Sequence, residues 1–447
     1  MIGISVIMPL YNAAKYLEES LRSIQKQTFT DFELICVNDA STDDTMEILQ
    51  DFQERDNRIR ILVNEERCGA APSRNRGLRE AEGKYLCFLD GDDIFEEEML
   101  ECSFKAAEEY QTDVVIFELK HISSDDIHHK QRVSRSEAFY ERYSSRVFEI
   151  AEYMPYEFKN WDFSVSNKLL NRKFIQDNQL QFQNLSCAND VYFMCMALVL
   201  AKRLLFLRDD RVMIYQREHN EPTRISYDRD PMCTYQAFIR IIEELIRRDR
   251  FPELYAHYYY RFYCALRNAL LQCKTEEKAE RFYDFLRVEG IDTICGMGGE
   301  YYSRLDEFYK KLLGQFTEKE FDTKWYQKGP GLELQLSQRE NITALTDLFR
   351  EFYRQNKKIG VWGAGENGAA FLKFCKENNL HIDMLIDKSE EKQGKMIEGY
   401  CVEGPEDMEN RIQVMIVTPQ GIYSHVAEEL SEQDITLLDL NQLLWIY

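Results

Sequence analysis

Short apolar segments alternate with amphipathic segments over the first 120 residues. Five of the apolar segments have the length and composition of buried strands: 4–8, 33–38, 59–63, 85–89 and 114–117. Between them, apolar residues recur every three to four positions, which is the spacing of an amphipathic helix. This alternation predicts an α/β domain with a mostly parallel, doubly wound sheet.

Polar residues between these segments indicate where the helices begin. Asn12 precedes the first helical segment and is predicted to cap it. Ser41-Thr42-Asp43-Asp44 resembles a capping box at the start of the second helical segment.

The pattern changes twice further along the chain. Segments such as 232–248 and 254–273 carry apolar and aromatic residues at helical spacing, which predicts a helical middle region over 230–355. Strands and helices then alternate again, which predicts a small Rossmann-like α/β domain over 356–447. The N-terminal α/β domain is predicted to cover 1–229.

Composition excludes several classes of protein. The formal net charge of -22 on 447 residues argues against a nucleic-acid partner, because neutralising phosphates needs clustered Lys and Arg. We find neither a signal peptide nor an apolar run that could span a bilayer, so a cytoplasmic location is expected. Peripheral association with the inner face of the membrane through a local basic patch stays open. The 12 cysteines include no Cys-x-x-Cys pair, so no zinc ribbon is expected.

Polar side chains follow three predicted strands where each strand ends. They lie in Pro9-Leu10-Tyr11-Asn12, Asn38-Asp39-Ala40-Ser41 and Asp90-Gly91-Asp92-Asp93. In open α/β sheets, ligands bind beyond the carboxyl ends of the parallel strands. An aromatic ring for a base, a carboxylate for a base or ribose, and acidic ligands for Mg²⁺ or Mn²⁺ would together bind a nucleotide diphosphate.

These motifs and Ser73-Arg74-Asn75-Arg76-Gly77 resemble, in order and spacing, the signatures of family-2 inverting glycosyltransferases with the GT-A fold. The resemblance implies hexosyl transfer from a UDP-sugar donor to a carbohydrate or lipid-linked glycan acceptor, with Mn²⁺ or Mg²⁺, in cell-surface polysaccharide or glycoconjugate synthesis. The residues it implies for the donor site are Pro9, Tyr11, Asn12, Asp39 and Arg76 around the nucleoside, Asp90 near the ribose, and Asp92 on the metal.

The resemblance also implies a catalytic base. Ala188-Asn189-Asp190-Val191-Tyr192-Phe193 is similar to a Gly-Glu-Asp-x-x-Phe motif, in which Asp190 matches the aspartate and Asn189 replaces the acidic neighbour. A positioned carboxylate can remove the proton of an attacking sugar hydroxyl. Without a second acid beside it, Asp190 should ionise more easily, because like charges raise the pKa of a carboxyl group. An ordinary helix N-cap is the alternative for Asp190.

Two further segments resemble parts of the same family. Asn167-Lys168-Leu169 is similar to a segment on the acceptor side, and the tract 123–130 is predicted to be a mobile loop near the acceptor. His128 and His129 in that tract are not expected to bind a metal. A basic side chain, either His219 or Arg224, would stabilise the departing diphosphate.

A glycine-rich motif opens the predicted C-terminal domain. Gly363, Gly365 and Gly368 form a Gly-x-Gly-x-x-Gly fingerprint between a strand and a helix, and Asp387 ends the next strand. The glycines would let the backbone approach the phosphate of an NAD-like nucleotide, and Asp387 would accept ribose hydroxyls. No Tyr-x-x-x-Lys pair follows Gly363, which favours binding, regulation or assembly over redox chemistry, with a structural role also open.

Two other functions compete with glycosyl transfer. An NAD-dependent sugar-modifying enzyme would place its chemistry in the C-terminal domain. A nucleotidyltransferase would need a glycine-rich basic loop after the first strand, where this chain has Pro9-Leu10-Tyr11-Asn12. Homo-oligomerisation stays open.

Overall fold

The computed structural model divides the chain into two compact units, Met1–Ser303 and Arg304–Tyr447. The helical region predicted over 230–355 is divided between them, and the domain limits given above stay predictions. The structure describes residues 2–123, 130–132, 144, 146–149, 163–218, 230–305, 307–317, 336–337, 339–408, 411–419, 426, 430 and 435–440.

The first unit is built on an 11-stranded sheet. Its strands are β1 (Ile4–Leu10), β2 (Phe32–Asn38), β3 (Ile59–Val63), β4 (Tyr85–Phe88), β5 (Ile94–Phe95), β6 (Val114–Ser123), β7 (Lys130–Arg132), β8 (Val147–Phe148), β9 (Lys168–Asn171), β10 (Leu204–Leu207) and β11 (Met213–Glu218). The order is β3-β2-β1-β4-β9-β6-β10-β8, with β11 paired to β5 and β6, and β7 to β6. The first four strands of this order are parallel, and β9 is antiparallel to both of its neighbours. The mostly parallel α/β sheet is therefore confirmed, with an antiparallel insertion.

Helices lie between the strands along the α/β part of the chain. They are α1 (Ala14–Gln25), α2 (Thr45–Arg55), α3 (Ala70–Glu80), α4 (Met99–Tyr110), α5 (Arg172–Asp177) and α6 (Val191–Leu200). The prediction that Asn12 caps α1 is wrong. The Ala14 amide donates to Asp43 Oδ2 at 3.0 Å and the Ala13 amide donates to Thr45 Oγ1 at 2.8 Å. The loop before α2 therefore caps α1, and Asn12 Oδ1 instead accepts from the Thr42 amide at 2.8 Å.

A helical layer completes the first unit and confirms the helices predicted near 232–248 and 254–273. It consists of α7 (Pro231–Arg247), α8 (Phe251–Leu271), α9 (Glu276–Phe285), α10 (Ile291–Gly298) and α11 (Glu300–Ser303). Tyr258 and Tyr259 on α8 are buried, and the Tyr258 hydroxyl donates to the Phe238 carbonyl at 2.8 Å. These two rings are part of the core.

A buried carboxylate on α7 pairs with three arginines, two on the helix and one directly after it. Glu244, whose side chain is 6% exposed, lies 3.0 Å from Arg240, 2.6 Å from Arg247 and 3.0 Å from Arg248. Burial alone would raise the pKa of the Glu244 carboxyl group, but hydrogen bonds from Arg247 and Arg248 outweigh it, so the pKa lies below its ordinary value of 4.5.

Glu244→Gln is expected to lower the free energy of unfolding at pH 7 by about 2 kcal/mol, because three guanidinium groups lose a buried counter-charge. The folded-state pKa is lowered, so this stabilisation is complete above the unfolded-state pKa and is lost as the pH falls through the folded-state value. Urea unfolding should show wild type and variant differing fully well above pH 4.5 and converging only as the pH falls through the lowered folded-state pKa, so the series should extend to about pH 2. Glu243→Gln, at an exposed neighbour, is the control and should change stability by less than about 0.5 kcal/mol; equal losses in both variants would contradict the prediction.

The second unit contains a smaller sheet. The elements of this unit are α12 (Glu307–Gly314), α13 (Arg339–Arg354), β12 (Ile359–Trp362), α14 (Glu366–Glu377), β13 (Met384–Ile386), β14 (Met396–Ile397), β15 (Tyr400–Glu403), β16 (Val414–Val417) and β17 (Thr436–Asp439). The 6-stranded sheet has the order β14-β15-β13-β12-β16-β17. Helix α13 packs in the core of this unit, with its Phe349 ring 6.4 Å from that of Phe371. In neither unit is any helix of the described residues long and apolar enough to cross a membrane.

Candidate active site

The structure brings the three predicted strand ends to one edge of the sheet. β1 lies between β2 and β4 and is parallel to both, so the segments that follow these three strands leave the sheet side by side. The chain reverses its order at this point, since β2 and β3 lie on one side of β1 and β4 lies on the other. Such a crevice is the usual ligand site of an open α/β sheet.

Left-handed backbone occurs at three positions within the candidate motifs. Asn12, Ala40 and Ala188 have φ angles of 48°, 55° and 52°. Residues other than glycine rarely adopt this left-handed conformation, and they cluster where a binding site dictates the backbone. Asn12 is itself a candidate site residue, Ala40 follows Asp39, and Ala188 lies two residues before Asp190.

The nucleoside side of the site is organised around Asp39. This carboxylate is 3% exposed and accepts hydrogen bonds from Asn64 Nδ2 at 2.7 Å, the Cys68 amide at 2.9 Å and the Gly69 amide at 2.7 Å. Asn64 Oδ1 accepts in turn from an Arg76 guanidinium nitrogen at 2.7 Å. Arg76 therefore lies close to Asp39 but reaches it through Asn64.

Tyr11 is an exposed candidate on this side. The residue is 37% exposed, and the guanidinium carbon of Arg67 lies 4.1 Å from the centroid of its ring. Pro9, two residues earlier, is half-buried within β1. The exposed Tyr11 ring can contact a planar ligand.

The three carboxylates of the acidic motif after β4 differ in burial. Asp93 is fully buried, whereas Asp90 and Asp92 are half-buried. Gly91 between them is buried, and a Cβ atom built there would lie 2.2 Å from Leu10 Cδ2. A larger residue here would displace the Leu10 side chain that packs against the turn.

Helix α3 connects the parts of the site, because each polar residue of its first turns contacts a different element. Ser73 Oγ accepts from Asn64 at 3.0 Å, and the Asn75 side chain exchanges two hydrogen bonds with the Phe182 backbone, at 2.8 and 2.9 Å. Arg74 donates to Asp90 Oδ1 at 3.0 Å and to Asn189 Oδ1 at 3.1 Å.

Sequence reasoning missed Arg74 and chose Arg76 from the same motif. Arg74 is 8% exposed, and its guanidinium carbon lies 5.6 Å from the centre of the Phe182 ring. The helical spacing held a signal, because Arg74 lies three residues from the buried Ala71 and three from the buried Gly77.

Asp190 occupies the N-cap position of α6 but its side chain does not cap the helix. The capping alternative is therefore not realised. Helix α6 is almost entirely buried, and its Phe193 stacks on Phe182 with ring centroids 4.0 Å apart. Phe88, two residues before Asp90, contacts both rings edge-on, at 5.0 and 5.8 Å. This aromatic cluster joins the strand that carries Asp90 to the helix that begins after Asp190.

The remaining predicted residues of the first half are placed differently. Lys168 is 1% exposed and donates to the Ser164 carbonyl at 2.6 Å and to Asn167 Oδ1. Its ammonium group is therefore used in hydrogen bonds inside the protein. His219, Arg224 and the histidines of the 123–130 tract lie outside the described residues.

The three glycines of the loop in the second unit differ in how closely they are packed. Gly363 has a φ of 108°, and a Cβ atom on Gly368 would lie 1.8 Å from the Gly363 carbonyl oxygen, whereas space is open around Gly365. Asp387 Oδ2 accepts from the Ala364 amide at 2.7 Å and from Lys392 at 2.9 Å. Burial would raise the pKa of Asp387, but these bonds and one from the Ser389 amide lower it. The carboxylate predicted to bind ribose thus already binds its own loop.

Comparison with known proteins identifies relatives for both parts of the chain. Residues 5–178 match the Glycosyl transferase family 2 profile, and residues 355–437 match the C2185-like, N-terminal profile. The poly(ribitol-phosphate) β-N-acetylglucosaminyltransferase TarS of Staphylococcus aureus is 26% identical over 252 residues, which are 56% of this chain and 41% of TarS. The crystal structure of TarS 1–349 in complex with UDP has a TM-score of 0.54 at 22% identity, covering 70% of this chain and 86% of that chain, so the fold is shared.

One of the sequence matches that extend over most of a relative is to a pneumococcal protein. Glycosyltransferase GlyG of Streptococcus pneumoniae is 32% identical over 231 residues, which are 50% of this chain and 74% of GlyG. The matched family profile begins within β1 and contains the strand-end motifs after β1, β2 and β4. The chain therefore belongs to glycosyltransferase family 2.

Proposed function

We propose that the protein transfers a hexosyl group from a UDP-sugar to an acceptor hydroxyl with inversion at the anomeric carbon. The observation that carries the proposal is the Arg74 bridge, which joins Asp90 after β4 to Asn189, the neighbour of Asp190. A single displacement needs the donor site and the base on two elements held in a defined geometry.

The donor side of the proposal rests on the strand-end residues. Tyr11 would contact the base, Asp39 would hold the base or the loop around it, and Asp90 would bind the ribose. TarS has the same fold and was crystallised in complex with UDP, and it is named a poly(ribitol-phosphate) β-N-acetylglucosaminyltransferase. We extend this to propose a UDP-linked donor and an acceptor in cell-surface polysaccharide or glycoconjugate synthesis.

A divalent cation fits the acidic motif if the donor completes its coordination. The described residues contain no group of three or more acidic, His or Cys side chains that could hold a metal ion. Mg²⁺ commonly binds one or two carboxylates together with substrate phosphates, and half-buried Asp92 would hold it in this way. Bound there, Mn²⁺ or Mg²⁺ would neutralise charge on the leaving diphosphate.

Asp190 would carry the proton transfer. Its carboxylate would take the proton of the acceptor hydroxyl as that oxygen attacks the anomeric carbon. The new glycosidic bond forms on one face of the sugar while the bond to the diphosphate breaks on the other, so an α-linked donor would give a β-linked product. The buried helix α6 would keep Asp190 in place during this step.

A panel of nucleotide sugars with Mn²⁺ tests the proposal directly. Release of nucleoside diphosphate from a UDP-sugar, in the presence of glycan acceptors, and an inverted anomeric configuration by NMR are the expected results. Retention of configuration would contradict the mechanism, and release only from other nucleotide sugars would contradict the donor. Nucleotide binding by the loop that contains Gly363 and Gly365 stays a separate prediction.

A further inference from the structure

Asn189, the residue beside the proposed base Asp190, makes two hydrogen bonds to different parts of the fold. Asn189 Oδ1 accepts from Arg74 at 3.1 Å, while Asn189 Nδ2 donates to the Leu185 carbonyl at 3.4 Å. The second bond closes the loop 185–190 on itself, and the first ties that loop to α3. The intervening Ala188, with a φ of 52°, needs such support because its backbone conformation is unfavourable.

Arg74 extends this connection to the donor side. Its other terminal nitrogen donates to Asp90 Oδ1 at 3.0 Å, so one guanidinium binds residues 99 positions apart in the sequence. The group is buried, and Asp90 is its carboxylate partner while Asn189 gives it a neutral acceptor. A buried guanidinium depends strongly on its counter-charge, so removing that charge should loosen every group that it holds.

We propose that Asn189 is a positioning residue that sets Asp190 in place, and that Arg74 makes this placement depend on Asp90. The inference rests on the proposed function for the role of Asp190. Donor binding at Asp90 and base placement at Asp190 are then two ends of one hydrogen-bonded chain. Because the Asn189 side chain is neutral, it does not compete with Asp90 as the ionic partner of Arg74.

Asn189→Ala removes both bonds and should reduce kcat by about tenfold or more, since small displacements of a catalytic group are costly. UDP affinity in the presence of Mn²⁺, measured by calorimetry, should stay within about twofold, because Arg74 and Asp90 remain paired. Asn178→Ala, which removes a side-chain bond to the Phe174 carbonyl at 2.9 Å, is the matched control and should leave both values unchanged. Wild-type kcat in Asn189→Ala, or an equal loss of UDP affinity, would overturn the proposal.

Asn189→Asp keeps the shape of the side chain and adds a negative charge. It takes the place of Asn189→Ala as the test if that variant does not fold. The acceptor for Arg74 is kept, so most of kcat should return at high pH. The added carboxylate should move the acidic limb of the pH profile of kcat upward by about half a pH unit or more, because like charges oppose ionisation of the base. A kcat at high pH no greater than that of Asn189→Ala would show that an acceptor for Arg74 at this position does not restore the base, and would overturn the proposal.

Hydrogen exchange tests the coupling without any turnover. Asp90→Asn should accelerate amide exchange in the loop 185–190 several-fold, as Asn189→Ala should, because both loosen the Arg74 connection. Asp51→Asn, at an exposed carboxylate on α2 that pairs with Arg55, is the control and should leave exchange in this loop unchanged. Unchanged exchange in Asp90→Asn would overturn the coupling, whereas a wild-type protein that transfers no sugar would count against the proposed function alone.

Discussion

Asp190→Asn is expected to retain donor affinity and to lose turnover by about a hundredfold or more, the usual scale of a general-base contribution. The amide has the shape of the carboxylate but cannot take a proton from the acceptor hydroxyl. The substitution removes no N-cap hydrogen bond from α6, and melting curves should show that the variant is folded. Initial rates at saturating donor and acceptor, with UDP affinity measured separately by calorimetry, distinguish lost chemistry from lost binding.

The control for this substitution is Asp177→Asn at the end of α5. Asp177 is an exposed carboxylate that pairs with Lys173, so its loss should not change turnover. Full activity of Asp190→Asn would assign the base to another carboxylate.

Asp92→Asn is expected to abolish metal-dependent UDP binding. A neutral amide is a weaker ligand for Mn²⁺ than a carboxylate, and the metal would contact the protein through this side chain. Calorimetric titration of UDP with Mn²⁺, and again with a chelator, should show a metal-dependent gain in affinity for the wild type and none for the variant.

Glu97→Gln is the matched control, since Glu97 is exposed and lies five residues after Asp92. It should bind UDP as the wild type does, and melting curves should show all variants folded. Unchanged Mn²⁺-dependent affinity in Asp92→Asn would refute the assignment of the metal ligand.

The two substitutions separate the halves of the site. Asp92→Asn should remove binding of the donor diphosphate, and Asp190→Asn should leave that binding intact while removing proton transfer. A protein in which both variants lost only UDP affinity would have its base elsewhere.

The sequence alone determined which segments form strands and where the polar residues follow them. Alternation of apolar strands with amphipathic helices predicts a parallel sheet, and the parallel arrangement places the carboxyl ends of β1, β2 and β4 at one edge. The candidate positions of Asp39, Asp90 and Asp190 follow from motifs at those ends and at the start of α6. Local periodicity is sufficient here, because burial of one face is decided within a few residues.

Only the tertiary structure decided which partner each polar side chain has. The motif on α3 contains two arginines, and nothing local shows that Arg74 reaches Asp90 and Asn189 while Arg76 reaches Asn64. Asp43 likewise caps a helix 29 residues earlier in the chain. Hydrogen bonds and ion pairs of this kind join residues far apart in sequence, so their geometry exists only after strands and helices have packed, and burial then makes each one costly to lose.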